Sequence, residues 1–208
     1  MRNKNNDISK ERILEIARHK FFNDGFIKTS IDEISREYHI SKKTIYKHFK
    51  SKDELLNQVV KDFTTRITNS VIEIMQSNQN AIEKLIKVLN LVQGNMKQLS
   101  LKYIDDIQKH KPKLWNYIEK FRRENLERVV SQTIETGKKE GLFEDVDPEI
   151  VFRVFYGAVR NVIIPEFLIA NPISSEEAIK KTFDILLNGI LTNQGRKLYK
   201  RQKRKFKK

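Results

Sequence analysis

An all-α fold is what this chain of 208 residues predicts. Three observations carry it. Only 7 Gly and 4 Pro interrupt the chain. Apolar residues recur at intervals of three and four rather than alternating, and Ser, Asp or Asn stands ahead of several periodic runs as a helix cap. Cysteine is absent, which excludes disulfides, thiolate nucleophiles and cysteine-ligated metals. A chain of this length buries enough apolar surface to fold without them.

Residues 9–23 read as the first helix, with Ile13, Ile16, Ala17 and Phe21 along one side and Gly25 as an αL stop. Ser30-Ile-Asp-Glu33 is a capping box, so a short helix starts at Ile31 and ends near Tyr38. Ser41 then caps a helix over 42–49 whose Ile45 and Phe49 face inward. A second box, Ser51-Lys-Asp-Glu54, opens a long helix with the stripe Leu56, Val60, Phe63, Ile67, Val71 and Ile74. Further helices are expected at 81–99, 102–108, 112–139, 148–170 and 175–191, with Asn80, Asp147 and Ser175 as caps and Pro112 and Pro148 in first turns. Gly141, the acidic turn 144–147 and Asn171-Pro172 separate them.

The net charge of +14 is unevenly spread. Residues 1–50 hold 12 Lys/Arg and 7 Asp/Glu, residues 51–195 hold 20 of each, and residues 196–208 hold 9 basic residues and no acid. Basic ends around a neutral middle point to a polyanion at the ends, nucleic acid or an anionic membrane surface. The polar start, MRNKNNDISKER, lacks the apolar run of a secretory signal, and no stretch has the ~20 apolar residues of a membrane span, so a cytoplasmic location is expected. The division expected is 1–55 as one domain, 56–195 as a second and 196–208 as a basic tail, disordered alone, that strengthens DNA binding without specifying sequence.

Two short helices joined by about three residues and braced by a third form the arrangement that lays its second helix in the major groove. Here the second helix crowds Lys42, Lys43, Thr44 and Lys47 on its outer side, with no acid between Lys42 and Lys52. Cations in a first turn oppose the helix dipole, a local cost that a phosphate or guanine partner explains.

The stretch 25–56, GFIKTSIDEISREYHISKKTIYKHFKSKDELL, resembles the DNA-binding domain of the TetR family, most specifically at Ser41-Lys42, Thr44-Ile45-Tyr46, Phe49 and Ser51 to Leu55. The remainder is similar in layout, with His110-Lys-Pro112 before a long helix and Gly137 to Phe143 after it. The resemblance implies a three-helix helix-turn-helix domain followed by a larger helical domain for ligand binding and dimerisation. It implies that Thr29, Ser30, Tyr46, His48 and Lys52 hold phosphates while Lys42, Lys43 and Thr44 face base edges. Two residues depart from the family pattern. His39 stands where the tight turn often has Gly, and tolerates positive φ better than most residues. Lys43 replaces a commonly small residue, so base preference is not transferable.

Histidines at 19, 39, 48 and 110 show no ligand spacing, so no metal or cofactor is expected. Asp105 and Asp106, adjacent on a helix, point apart and read as surface. No P-loop, GxGxxG or GxSxG is present, so no enzyme is expected. Tyr103, Trp115, Tyr117, Phe121, Arg122, Phe155 and Arg160 are candidates for an effector pocket. The helix from Pro148 has two apolar faces. Phe152, Tyr156, Val159 and Ile163, with Phe183, Leu187 and Ile190 of the next helix, are candidates for a homodimer seam. The expected function is a repressor released from palindromic double-stranded operator DNA by a small apolar or amphipathic effector. A DNA-bound scaffold that contacts another protein and senses no ligand is the alternative, and a membrane-surface protein leaves the helix-turn-helix unexplained.

Overall fold

The computed structural model describes residues 9–205, with side chains to residue 204; residues 206–208 of the basic tail lie outside the described residues. In chain order the helices are α1 Lys10–Asp24, α2 Ile31–Glu37, α3 Lys42–His48, α4 Lys52–Gln76, α5 Ala81–Met96, α6 Leu101–His110, α7 Pro112–Lys139, α8 Pro148–Val162, α9 Pro165–Ala170, α10 Ser175–Ile190 and α11 Asn193–Lys205. Among the described residues the only extended pairing is an isolated bridge between Phe143 and Leu191. The chain forms two compact units, one running to Arg66 with Gln98–Asn116, the other Ile67–Lys97 with the chain from Tyr117 on.

In the first unit, α1 buries Ile13, Ile16, Ala17, Phe21 and Phe22, the periodic side read from sequence. Phe22 meets Phe63 and Tyr103 with ring centroids 5.0 Å and 4.7 Å apart. Gly25 follows α1 with φ 88° and ψ 157°, outside the αL basin expected of it but still at a positive φ that glycine adopts freely. A Cβ there would lie 2.8 Å from Asp106 Oδ2. That oxygen accepts the Ile27 amide at 2.9 Å, and Asp106 is buried. The expectation of a surface acid is therefore corrected at Asp106, which is buried and whose carboxylate accepts the Ile27 amide. Asp105, by contrast, pairs with Lys109 at 2.8 Å.

In the second unit, α10 packs on α8 and α5, and α11 on α5. Val71, Ile82, Leu85, Leu89, Val130, Ile134, Phe152, Phe155, Ile179, Phe183 and Leu187 are among its core residues. Three expectations are corrected. The helix expected over 148–170 is two helices, because Pro165 holds Ile164 extended (φ −80°, ψ 144°) and starts α9 anew. The cap of α10 is Ser174, whose side chain accepts the Glu177 amide at 3.1 Å, so Ser175 is the first helical residue.

The third correction concerns the tail. Residues 193–205 are helical, with Tyr199 and Gln202 buried. The Tyr199 hydroxyl donates to Asp184 Oδ1 at 2.5 Å, Gln202 Nε2 donates to Glu83 Oε1 at 2.6 Å, and Lys203 pairs with Asp184. At the start of α11, a Cβ on Gly195 would fall 2.1 Å from the Leu142 carbonyl oxygen. Charge composition suggested disorder; one buried aromatic and three polar bonds outweigh it.

Candidate nucleic-acid interface

The reading head is built on capped helices and one left-handed residue. Ser30 Oγ accepts the Glu33 amide at 3.0 Å and starts α2, which buries Ile31 and Ile34. The chain then turns through Tyr38, His39 and Ile40. His39 takes φ 54°, the positive value its position demands. The turn closes with the Ile40 amide donating to Ser35 O at 3.0 Å and the Ser35 hydroxyl donating to Ile40 O at 2.5 Å. Ser41 Oγ accepts the Thr44 amide at 3.0 Å and starts α3. Ile45 and Phe49, both buried, fix the inner side, so Lys42, Lys43, Tyr46 and Lys47 face outward.

Lys20 clasps the two supporting helices. Its side chain is buried, and its ammonium lies 2.6 Å from Asp24, 2.7 Å from Glu37 and 3.3 Å from Glu33. Hydrogen bonds to Asp24 and Glu37 push its pKa up. The Glu33 carboxylate is thus turned toward Lys20. The second capping box behaves differently: Glu54 N donates to Ser51 Oγ at 3.1 Å while the Glu54 carboxylate accepts the Lys50 amide at 2.7 Å.

The candidate contacts sort themselves by availability. Lys43 and Tyr46 are exposed on the outer side of α3, with Lys47 beside them. Lys42 bonds Asp32 at 2.6 Å, but both side chains are more than half exposed, and such a surface pair is worth about 0–1 kcal/mol. Thr44 shares a hydrogen bond with Ser41 Oγ at 2.8 Å. Lys52 donates to the Ile27 carbonyl at 3.3 Å and sits 4.2 Å from the Phe26 ring centroid. Burial is the main cause lowering its pKa. Ser30 is exposed.

Two candidates point elsewhere. Thr29 is buried and its hydroxyl donates to the Gly25 carbonyl at 2.8 Å, so it braces the loop. Nε2 of His48 is buried in the protein without a partner, which turns that nitrogen away from a phosphate.

The effector candidates are not brought together in one unit. Tyr103 is buried in the first unit and Trp115 belongs there too, whereas Tyr117, Phe121, Arg122, Phe155 and Arg160 belong to the second. Phe155 is a core residue, edge-on to Phe183 at 5.3 Å. Sequence reasoning missed Glu119, a half-buried hub. It bonds Arg122 Nη1 at 2.8 Å, accepts the Tyr156 hydroxyl at 3.3 Å and lies 3.5 Å from Arg160 Nε. Burial, then the Glu119 charge, raise the Tyr156 pKa.

Of the seam candidates, the structure places Phe152, Ile163, Phe183 and Leu187 inside the second unit, with Tyr156, Val159 and Ile190 packed against its core. The apolar side left open is a different one: Ile150 is 62% exposed, Val154 50% and Ile185 73%. Both apolar faces read from the sequence of α8 contribute buried residues, Val151 and Phe155 from one and Phe152 from the other, and the exposed Ile150 and Val154 lie on neither.

A three-helix reading head with an outward basic α3, joined in one chain to a larger helical unit, defines a helix-turn-helix regulator. Residues 13–59 match the family described as bacterial regulatory proteins, tetR family. The chain is 23% identical over 171 residues to the uncharacterized HTH-type transcriptional regulator YvaF of Bacillus subtilis, covering 82% of this chain and 89% of YvaF. It is 23% identical over 207 residues to the HTH-type transcriptional repressor KstR2 of Mycolicibacterium smegmatis, covering 90% and 93%. A putative transcriptional regulator from Saccharomonospora viridis, solved in complex with choline, has the same fold, with a TM-score of 0.70, 19% identity and coverage of 88% and 97%. Residues 13–59 thus carry a tetR-family DNA-binding domain, and over most of its length the chain is similar to HTH-type transcriptional regulators.

Proposed function

We propose that this chain is a cytoplasmic homodimeric repressor that leaves palindromic operator DNA when a small apolar or amphipathic effector binds its second unit. The observation that carries the DNA half is α3, where Ile45 and Phe49 fix one side and Lys43 and Tyr46 are exposed on the other. Its N-terminal Lys42, Lys43 and Thr44 read base edges, while Ser30, Tyr46 and Lys52 hold phosphates. The name of KstR2 as a repressor supports the direction of regulation.

Ile150 and Val154 of α8 and Ile185 of α10 supply the dimer seam in place of the buried set, since exposed large apolar side chains mark a partner surface. The choline complex of the Saccharomonospora viridis regulator supports a ligand-taking second unit. Here the polar hub of Glu119, Arg122, Tyr156 and Arg160 offers the few placed polar groups that an apolar pocket needs. An effector releases DNA only through its differential affinity for two arrangements, and tenfold release needs about 1.4 kcal/mol.

Selection of bound duplexes from a random pool tests the DNA half: one enriched palindrome is expected, and no enrichment defeats it. Sedimentation of Ile185→Glu tests the seam, a monomer being expected. Thermal stabilisation against small amphipathic molecules, followed by operator binding with each hit, tests the effector. Ile169 of α9, 74% exposed, favours the scaffold reading, because it lies on neither α8 nor α10. Hits that stabilise the protein without moving operator affinity decide for that reading.

A further inference from the structure

We propose that α11 presents a second, sequence-independent docking surface for the phosphate backbone of duplex DNA, formed by Lys197, Lys200, Arg201 and Arg204. Offsets of three, four and seven residues place these four side chains on one helical face. All four are exposed, and none has an ion-pair partner among the described residues. The other cations with described side chains are engaged: Lys203 pairs with Asp184, and Arg196 lies 3.9 Å from Glu144. Residues 193–205 contain no acid at all. Lys197 with Arg201, and Lys200 with Arg204, are like charges four apart, each pair costing a few tenths of a kcal/mol that a polyanion relieves.

The stripe is held in place before any ligand arrives. Buried Tyr199 and Gln202 occupy the inward side and bond Asp184 and Glu83 at 2.5 Å and 2.6 Å. Binding therefore orders four side chains and no backbone, which keeps its entropic cost low.

The choice of occupant follows from what the exposed face lacks. A helix that lies in a lipid interface buries an apolar side in it; the apolar side of α11, Leu198 and Tyr199, is already spent on the core. Single-stranded nucleic acid is held by aromatic stacking, and the stripe has no aromatic residue. Bare cations suit a duplex backbone. From Lys197 to Arg204 the helix rises about 10.5 Å, about the axial rise of three nucleotides of a duplex. The inference rests on the DNA-binding reading for the presence of duplex near the chain, but not on α3 for its contacts.

The test uses the full chain and a duplex of arbitrary, non-operator sequence, with affinity measured from low to high salt. Changing Lys197, Lys200, Arg201 and Arg204 together to Gln should flatten the slope of log affinity against log salt by about 0.9 for each phosphate left without its cation, up to about 3.6. Lys200→Gln with Arg201→Gln should flatten it by about half as much, and neither variant should alter the helical circular dichroism. Lys43→Ala separates the two surfaces. It should alter operator preference and leave the α11 contribution to the slope in place, so a flattened slope without any enriched operator upholds α11 while defeating the operator reading. An unchanged slope in the folded quadruple variant overturns the proposal. So does loss of binding to phosphatidylserine vesicles with duplex binding intact, which assigns the stripe to lipid.

Discussion

Helices α3 and α11 are both basic, both lack an acid in the first turn, and both turn lysines outward. They are held by different physics. α3 is fixed by near neighbours: Ser41 caps Thr44 three residues on, and Ile45 and Phe49 close its inner side. α11 is fixed by partners far along the chain, with Tyr199 reaching an acid 15 residues away and Gln202 one 119 residues away. A helix anchored locally announces itself in the sequence, whereas one anchored at a distance looks like a solvated tail until the partners are found.

Four substitutions probe that contrast. Phe49→Ala should have the largest effect, about 3–5 kcal/mol of stability, because it empties the apolar anchor of α3. Calorimetry should show the loss together with abolished DNA binding, and an unmoved Tm would show that α3 is held some other way. Lys43→Ala should leave stability alone and change which sequences bind, by about 1–3 kcal/mol at the affected base. Selection from a random pool measures this, and an identical consensus would remove Lys43 from base reading.

Tyr199→Phe takes a hydroxyl from Asp184 and should cost about 1–2 kcal/mol in denaturant unfolding. The same residue gives a pH signature. Burial first, then the bond to Asp184, raises the Tyr199 pKa, so its contribution is fully present below the ordinary tyrosine value near 10 and is lost as pH rises through the folded-state value. Lys20, also raised, acts in the same direction. Stability should hold level up to about pH 10 and fall beyond it, less steeply in Tyr199→Phe; equal slopes above pH 10 would mean that Tyr199 titrates as if exposed. Smallest is Ser41→Ala, at about 1 kcal/mol for the lost cap, read from the thermal midpoint.

Much of the reading head is legible in the sequence alone. Caps, short apolar spacings and a His in a turn that needs positive φ are local signals, and Ser30, Ser41, His39, Ile45 and Phe49 all play the parts expected of them. Two of the misses share one cause, a partner distant in sequence. Asp106 is buried because an amide 79 residues earlier needs an acceptor, and Glu119 gathers Tyr156 from 37 residues on. Thr29 was expected to hold a phosphate only through the family resemblance, and its hydroxyl donates to the Gly25 carbonyl. The break before Pro165 had a visible signal, the proline itself, hidden inside an apolar run that otherwise reads as one helix. On α8, Ile150 and Val154 lie on neither of the two apolar faces read from the sequence, so periodicity gave no reason to single them out.

The bond between Gln202 and Glu83 also sets a clock. On a ribosome adding about 5–20 residues each second, Gln202 appears roughly 6–24 s after Glu83. For that interval α5 lacks α11, and Asp184, made 15 residues before Tyr199, waits about 0.8–3 s for that partner. The reading head has no such wait beyond Asn116, since every segment of its unit has been made by then. A nascent chain therefore holds a complete reading head well before the unit that carries α11 can close.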